Sequence, residues 1–339
     1  MKKFLLKITI FAIPLAVWFG ITIAAYLLID PFKVLYKYDN FYAGKYIGDL
    51  NRDYVSTENY IRHRDSANYN SFIFGSSRVY MGFKPSIWKK YLPENAQPYS
   101  FDAYSESVYG IWSKVKFLDK TDATISNALI VLCHGPAFRT EKNSTGYLFR
   151  KHPALSGENW LSFQYTVFQP FLHPKKAYSY IDLWLTGRYK NYMKFFIPPP
   201  SPLDIYDPVT NERFFNTQEK NIRENPDYIN NPAVFYDRPD TEHVDEIRRI
   251  KRRHAEMLQE IRTILDKRHT DYRVIISPLY EQIRLNPDDL QLLHEIFGAD
   301  KVTDFTGKNA FSDNKRNYYE PHHFRSQPVD SLLKTVYEK

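Results

Sequence analysis

The chain has 339 residues, 43% of them hydrophobic and 25% charged, enough apolar content to fold around a core as one domain with an insertion. Its net charge of +7 permits attraction to acidic glycans or anionic lipids without calling for nucleic acid, and its 17% aromatic content suits sugar stacking and a rigid core equally. One cysteine, Cys133, excludes an intrachain disulfide and a cysteine-type zinc site, and the ten histidines show no metal-ligand spacing, so neither metal nor cofactor is expected.

Lys2, Lys3 and Lys7 precede an apolar run from Ile8 to Ile29, which Asp30-Pro31 ends sharply. At about 1.5 Å per residue the run is long enough to cross a hydrocarbon core of about 30 Å. A cleaved signal peptide begins in the same way, but apolar residues continue past the weak Thr22-Ile23-Ala24 site, which favours an uncleaved anchor over residues 1–30. The flanking lysines place the N-terminus in the cytoplasm and everything after the span outside the inner membrane of a bacterium.

Residues 31–68 are polar and aromatic without a clean period and read as a membrane-proximal connector. From 69 to 339 strand and helix signals alternate. "SFIF" (71–74) is an apolar run closed by Gly75, and 86–92 has the pattern of a helical turn. "PYSF" (98–101) precedes a helical pattern from Glu106 to Leu118, and "NALIVLC" (127–133) reads as a buried strand. Residues 136–238 carry "PPPSP" (198–202) and several Asn-Pro and Asp-Pro steps and read as an insertion, with helix around Trp160–Phe196. Within it Asn143-Ser144-Thr145 fits a glycosylation sequon, which carries no weight in a bacterial protein.

Alternation then resumes. A long helix is predicted over about 240–268. Its basic run "IRRIKRRH" (247–254) is read as a solvated face because Ile247, Ile250, Leu258, Ile261 and Leu265 form an apolar stripe. A strand at 272–277, a helix at 287–297, a short strand at 302–305 and a last helix from about 325 complete the chain. Strands alternating with helices predict a mainly parallel, doubly wound α/β sheet.

In such sheets ligands sit beyond the carboxyl ends of the strands. The first strand runs into Gly75-Ser76-Ser77-Arg78, the second into Asp102-Ala103-Tyr104-Ser105 and the third into His134-Gly135. "YYEPHHFR" (318–325) lies just before the last helix, with Glu320 three residues ahead of His323, a spacing that puts both on one side of a helical turn. "GSSR" satisfies a plain turn as well, and Ser77 would cap the helix after it. A serine nucleophile, however, needs a base within hydrogen-bond reach and an acid to orient that base.

This order, with a serine early and acid-x-x-His late, resembles the GDSL/SGNH hydrolases. It looks closest to their membrane-anchored extracytoplasmic members, such as the D-alanyl lipoteichoic acid transfer proteins and polysaccharide O-acetyltransferases. The resemblance covers about 70–135 and 270–339. It implies a flavodoxin-like sheet, Ser77 as nucleophile, His323 as base and Glu320 in the place of the family's Asp. The family's second block supplies a Gly N–H to the oxyanion hole, where this chain offers Ser105. Its third block carries Asn or Asp, where this chain has His134, whose ring N–H is an alternative donor. Ser77, Ser105 and His134 are therefore the oxyanion candidates, and Arg78 and Arg325 the candidates for holding an anionic substrate. The implied function is acyl transfer to, or hydrolysis from, cell-envelope glycans. The implied partners are the lipid bilayer, a glycan acceptor and a multi-span membrane O-acyltransferase that delivers the acyl group. A non-catalytic scaffold on the same fold, binding a glycan or an assembly partner, is the rival reading, and a plain secreted esterase the third.

Overall fold

A computed structural model describes residues 2–44, 46–139, 146–238 and 241–338; the Asn143–Thr145 sequon lies outside them. In chain order the main elements are α1 (Lys2–Ile29), α2 (Arg52–Ala67), β1 (Ser71–Gly75), α3 (Ser77–Met81), β2 (Pro98–Asp102), α4 (Val108–Lys120) and β3 (Asn127–Leu132). They continue with α5 (Trp160–Phe168), α6 (Pro174–Thr186), α7 (Asn216–Glu224), α8 (Arg252–Lys267), β4 (Asp271–Ile276), α9 (Pro287–Phe297) and β5 (Val302–Asp304). The hairpin strands β6 (Tyr318–Glu320) and β7 (His323–Phe324) and the helix α10 (Val329–Tyr337) end the chain.

The fold is mixed α/β. Its centre is a five-stranded, wholly parallel sheet in the order β2-β1-β3-β4-β5. Every residue of β1, β2 and β3 is buried, as expected for strands covered on both faces. The pleat divides their side chains between two cores. Phe72, Phe74, Ile130, Leu132 and Val274 point toward α4 and α8, whereas Ile73, Leu129, Val131 and Ile275 point toward α10 and the β6–β7 hairpin. The apolar stripe of α8 is real over Leu258, Ile261 and Leu265, which are fully buried. The predicted start of that helix is corrected: it begins at Arg252, and Ile247 is exposed ahead of it.

A third core was not foreseen. It joins Tyr26 of α1, Phe32, Phe41 and Leu50 of the presumed connector, and Phe163, Phe171, Tyr180 and Met193 of the insertion. The connector therefore belongs to the folded body, and from Arg52 to Ala67 it is helical. Asn51 caps α2 by accepting from Tyr54 N–H at 3.0 Å, and its amide donates to the Tyr147 and Arg150 carbonyls. The buried residues of α2 mix Arg52, Asp53, Ser56, Thr57 and Asn59 with Tyr54, Val55 and Tyr60, so no clean apolar period announces it.

Asp53 anchors a buried charge cluster. Its carboxylate meets Lys151 Nζ at 3.1 Å and Lys114 Nζ at 3.4 Å and accepts from His152 N–H at 2.7 Å, while Glu106 bonds both lysines. Burial pushes the Asp53 carboxyl up, but the two lysines and the His152 N–H outweigh it and hold it below the ordinary carboxylate range. A carboxyl depressed in the folded state contributes stability above its unfolded value, about pH 4, and loses that contribution as pH falls further. The urea midpoint of the full chain in detergent is expected to fall below about pH 4, with a shallower slope in that range in Asp53→Asn.

Candidate active site

The end of β1 is built to present one hydroxyl and hide another. A Cβ on Gly75 would come within 2.7 Å of Val131 O, so only glycine lets the chain leave the strand this close to β3. Ser76 turns inward. It caps α3 by accepting from Arg78 N–H at 3.2 Å, and its Oγ lies 2.8 Å from Cys133 Sγ. Ser77 is the first residue of α3, directly after the strand, and is half-buried. As a helix-start donor its N–H has no intrahelical acceptor, and it finds none elsewhere among the described residues.

The partner comes from the β6–β7 hairpin. His323 Nε2 stands 2.9 Å from Ser77 Oγ, although the residues are 246 apart in sequence. His323 Nδ1 is hydrogen-bonded to Glu320 Oε1, and the second carboxylate oxygen accepts the His322 N–H at 2.8 Å. An ionised carboxylate only accepts, so the proton sits on Nδ1 and leaves Nε2 free to take the serine proton. Burial pushes the Glu320 carboxyl up, but the hydrogen bond and charge of His323 and the His322 N–H more than offset it and hold it below the usual range. Glu320 thus stays ionised at neutral pH. The His323 and Glu320 side chains are 28% and 30% exposed, so the group opens to solvent.

The expected helical turn at Glu320–His323 is corrected. The two residues face each other as a cross-strand pair, with Pro321 and His322 making the turn between β6 and β7. Two features hold the hairpin on α3. A Cβ on Gly82 would lie 2.8 Å from Phe324 O, so glycine permits β7 to approach the end of α3. Arg78 donates from Nε to His322 O at 3.0 Å and from Nη1 to Pro278 O at 3.3 Å.

Arg78 is therefore a buried positioning residue for the turn beside His323, not the free anion ligand expected. Arg325 is corrected likewise: it is ion-paired to Glu219 of α7 and donates to Arg316 O at 2.7 Å. His134 is also redirected. Its Nε2 lies 2.8 Å from Asp245 Oδ2 without a hydrogen bond to it, and Arg249 binds the same carboxylate at 2.7 Å, so this nitrogen faces a carboxylate. Burial, joined by the charges of Arg249 and Arg78, pushes the His134 pKa down against the opposing pull of Asp245. Ser105 keeps its candidacy. Gly75 and Asp102 are register partners, so Ser77 and Ser105 leave neighbouring strands at one edge, and Ser105 is exposed in the left-handed region with φ 47°.

Sequence reasoning missed the polar wall behind this edge. Arg52 clamps Asp102, the last residue of β2, through Nε at 2.9 Å and Nη2 at 2.6 Å, and its guanidinium stacks 4.1 Å from the Tyr80 ring centre. Tyr80, three residues after Ser77, shares a 3.0 Å hydroxyl contact with Tyr42 and accepts from Arg213 at 3.0 Å. Tyr42, Tyr104, Tyr206, Asp49 and Arg213 line an adjoining cleft of about 680 Å³. No short motif spells this wall, because its members come from the connector, α3, β2 and the insertion.

No family model matches the chain, and no curated protein sequence matches it. The site geometry therefore carries the functional reading. Glu320→Gln is expected to lower turnover by about 10²–10⁴-fold with the fold retained, since an amide no longer fixes the imidazole tautomer. Steady-state kinetics beside circular dichroism would check this.

Proposed function

We propose that the protein is a membrane-anchored serine acyltransferase or esterase of the SGNH kind, acting on acyl esters of cell-envelope glycans. The observation that carries this reading is the Ser77–His323–Glu320 contact, in which a hydroxyl, an imidazole of fixed tautomer and an ionised carboxylate meet at the carboxyl end of the sheet. The strand order β2-β1-β3-β4-β5 supports a flavodoxin-like arrangement, and the nucleophile follows β1 at the point where the strand order reverses.

In the proposed reaction Ser77 Oγ attacks the acyl carbonyl and its proton passes to His323 Nε2. The Ser77 and Ser105 N–H groups receive the oxyanion. Collapse expels the donor's alkoxide, which takes the proton from His323 and leaves an acyl-serine. A glycan hydroxyl or water then gives its proton to His323 and attacks the acyl-serine; Ser77 Oγ leaves, takes that proton back and releases the new ester or the free acid. The tyrosine-lined cleft offers stacking faces for the sugar acceptor.

α1 contains an apolar stretch, Thr9–Ile29, long enough to span a bilayer. The basic flank before it supports a cytoplasmic N-terminus with the α/β body outside the inner membrane. A donor charged inside the cell must cross that membrane, which calls for a multi-span O-acyltransferase partner. The rival reading, a glycan-binding scaffold, draws on His134 facing the Asp245 carboxylate rather than an oxyanion site.

Envelope glycans from cells carrying the parent and the Ser77→Ala chain discriminate the two. Loss of O-acyl groups in the variant at equal protein level is expected. Unchanged acylation would refute the enzyme.

A further inference from the structure

We propose that the insertion is seated in the outer leaflet of the bilayer, with α5, the 169–172 turn and α6 forming a lipid-contacting collar around the exit of α1. The proposal rests on the reading of α1 as a membrane span.

The depth argument comes from α1 itself. Its 21-residue apolar stretch is about 32 Å long, so a hydrocarbon core of about 30 Å reaches from Thr9 nearly to Ile29. Yet Thr22 and Tyr26 are buried against protein. Tyr26 packs on Phe168 at 4.9 Å and Phe171 at 5.5 Å between ring centres. On the other side of the same turn Leu27 and Leu28 remain exposed, the latter at 68%. Leu27 and Leu28 need lipid, so the groups covering Tyr26 stand at hydrocarbon depth as well. From Thr22 to Ile29 is about 10 Å along the axis, which matches the 5–10 Å to which interfacial helices sink.

The outer surface of these elements has the matching chemistry. Opposite the buried Phe163 and Val167, α5 and the turn expose Leu161, Tyr165 and Leu172, spaced as one helical face. Trp160 on α5 and Trp184 and Leu185 on α6 extend the patch. Trp and Tyr beside aliphatic side chains are the composition of a membrane–water interface. Lys175, Arg188 and Lys194 are exposed close by in sequence and complement anionic headgroups. The elements that carry the patch pack directly on the end of α1, through Phe168 and Phe171 against Tyr26, and this seat on the span commits the occupant to lipid.

Depth-dependent quenching tests the proposal on the full chain in phosphatidylethanolamine–phosphatidylglycerol vesicles whose acyl chains are brominated near the carbonyl end. The chain has five tryptophans. Variants would keep the fully buried Trp88 plus one of Trp18, Trp112, Trp160 or Trp184, the others replaced by Phe. The Trp160 and Trp184 contributions are expected to fall roughly twofold, as for side chains at the headgroup–acyl boundary, while Trp112 in the α/β body is unchanged. Trp18 lies about 14 Å along α1 from Thr9, near the bilayer midplane, and reports the anchor separately in vesicles brominated toward the methyl end of the acyl chains. Quenched Trp18 with Trp160 and Trp184 at the Trp112 level would overturn the collar while keeping the span, and would assign the patch to a protein partner. Unquenched Trp18 together with unquenched Trp160 and Trp184 would overturn both.

Discussion

Ser77→Ala is expected to lower acyl turnover by at least about 10³-fold, His323→Ala to do nearly the same, and the double variant to fall little further. The reason is that the two side chains act as one device. Without the imidazole 2.9 Å from Oγ, the hydroxyl has nowhere to send its proton as it attacks. Without the hydroxyl, the imidazole has no nucleophile to activate. Ser76→Ala is the control, since its hydroxyl faces Cys133 and caps α3; it is expected to cost stability of order 1 kcal/mol and much less activity. Additive losses in the double variant would mean that Ser77 and His323 work independently, and the triad reading would fall.

Arg52→Ala is expected to destabilise the protein by about 3–5 kcal/mol, the cost of breaking a buried ion pair from one side. Arg52 and Asp102 are both fully buried, and the guanidinium also donates to Asn211 at 2.9 Å and stacks on Tyr80. Removing it strands the Asp102 carboxylate at the end of β2 without its counter-charge. The same variant loosens the loop that carries Ser105 and the support behind Tyr80, so turnover is expected to fall alongside stability. Denaturant unfolding of the parent, Arg52→Ala and Arg52→Ala/Asp102→Asn in detergent reads this out. The double variant should recover part of the loss, because it removes the unpaired charge. A loss below about 1 kcal/mol in Arg52→Ala would show that water reaches the pair.

The sheet was legible because β1, β3 and β4 are runs of apolar and β-branched residues long enough for a strand and too short for a helix. The meeting of Ser77 with His323 and Glu320 was legible from a different source. Both segments sit where a parallel sheet gathers its ligands, and the resemblance in chain order paired them, since "GSSR" alone fits a plain turn. The turn between Glu320 and His323 was misread because a three-residue spacing serves a helical turn and a tight hairpin alike, and Pro321 fits the turn. α2 was invisible because most of its buried residues are charged or polar, satisfied by partners far away in sequence; Arg52 meets Asp102 and Asn211, and Asp53 meets Lys151. Arg78, Arg325 and His134 were misassigned for the same cause. An arginine looks free until its acceptor is known, and theirs lie on Pro278, His322 and Glu219, while His134 faces the Asp245 carboxylate. Local pattern reveals strands and turns; the partners of buried charge emerge only from the assembled fold.

The most direct measurement is labelling of the full chain by a serine-directed fluorophosphonate, with the adduct mapped by peptide mass spectrometry. A nucleophile oriented by His323 and Glu320 predicts one adduct per chain on Ser77, none on Ser76, and labelling slowed by at least about a hundredfold in His323→Ala. No adduct on Ser77, or equal labelling of Ser77 with and without His323, would contradict serine catalysis at this site.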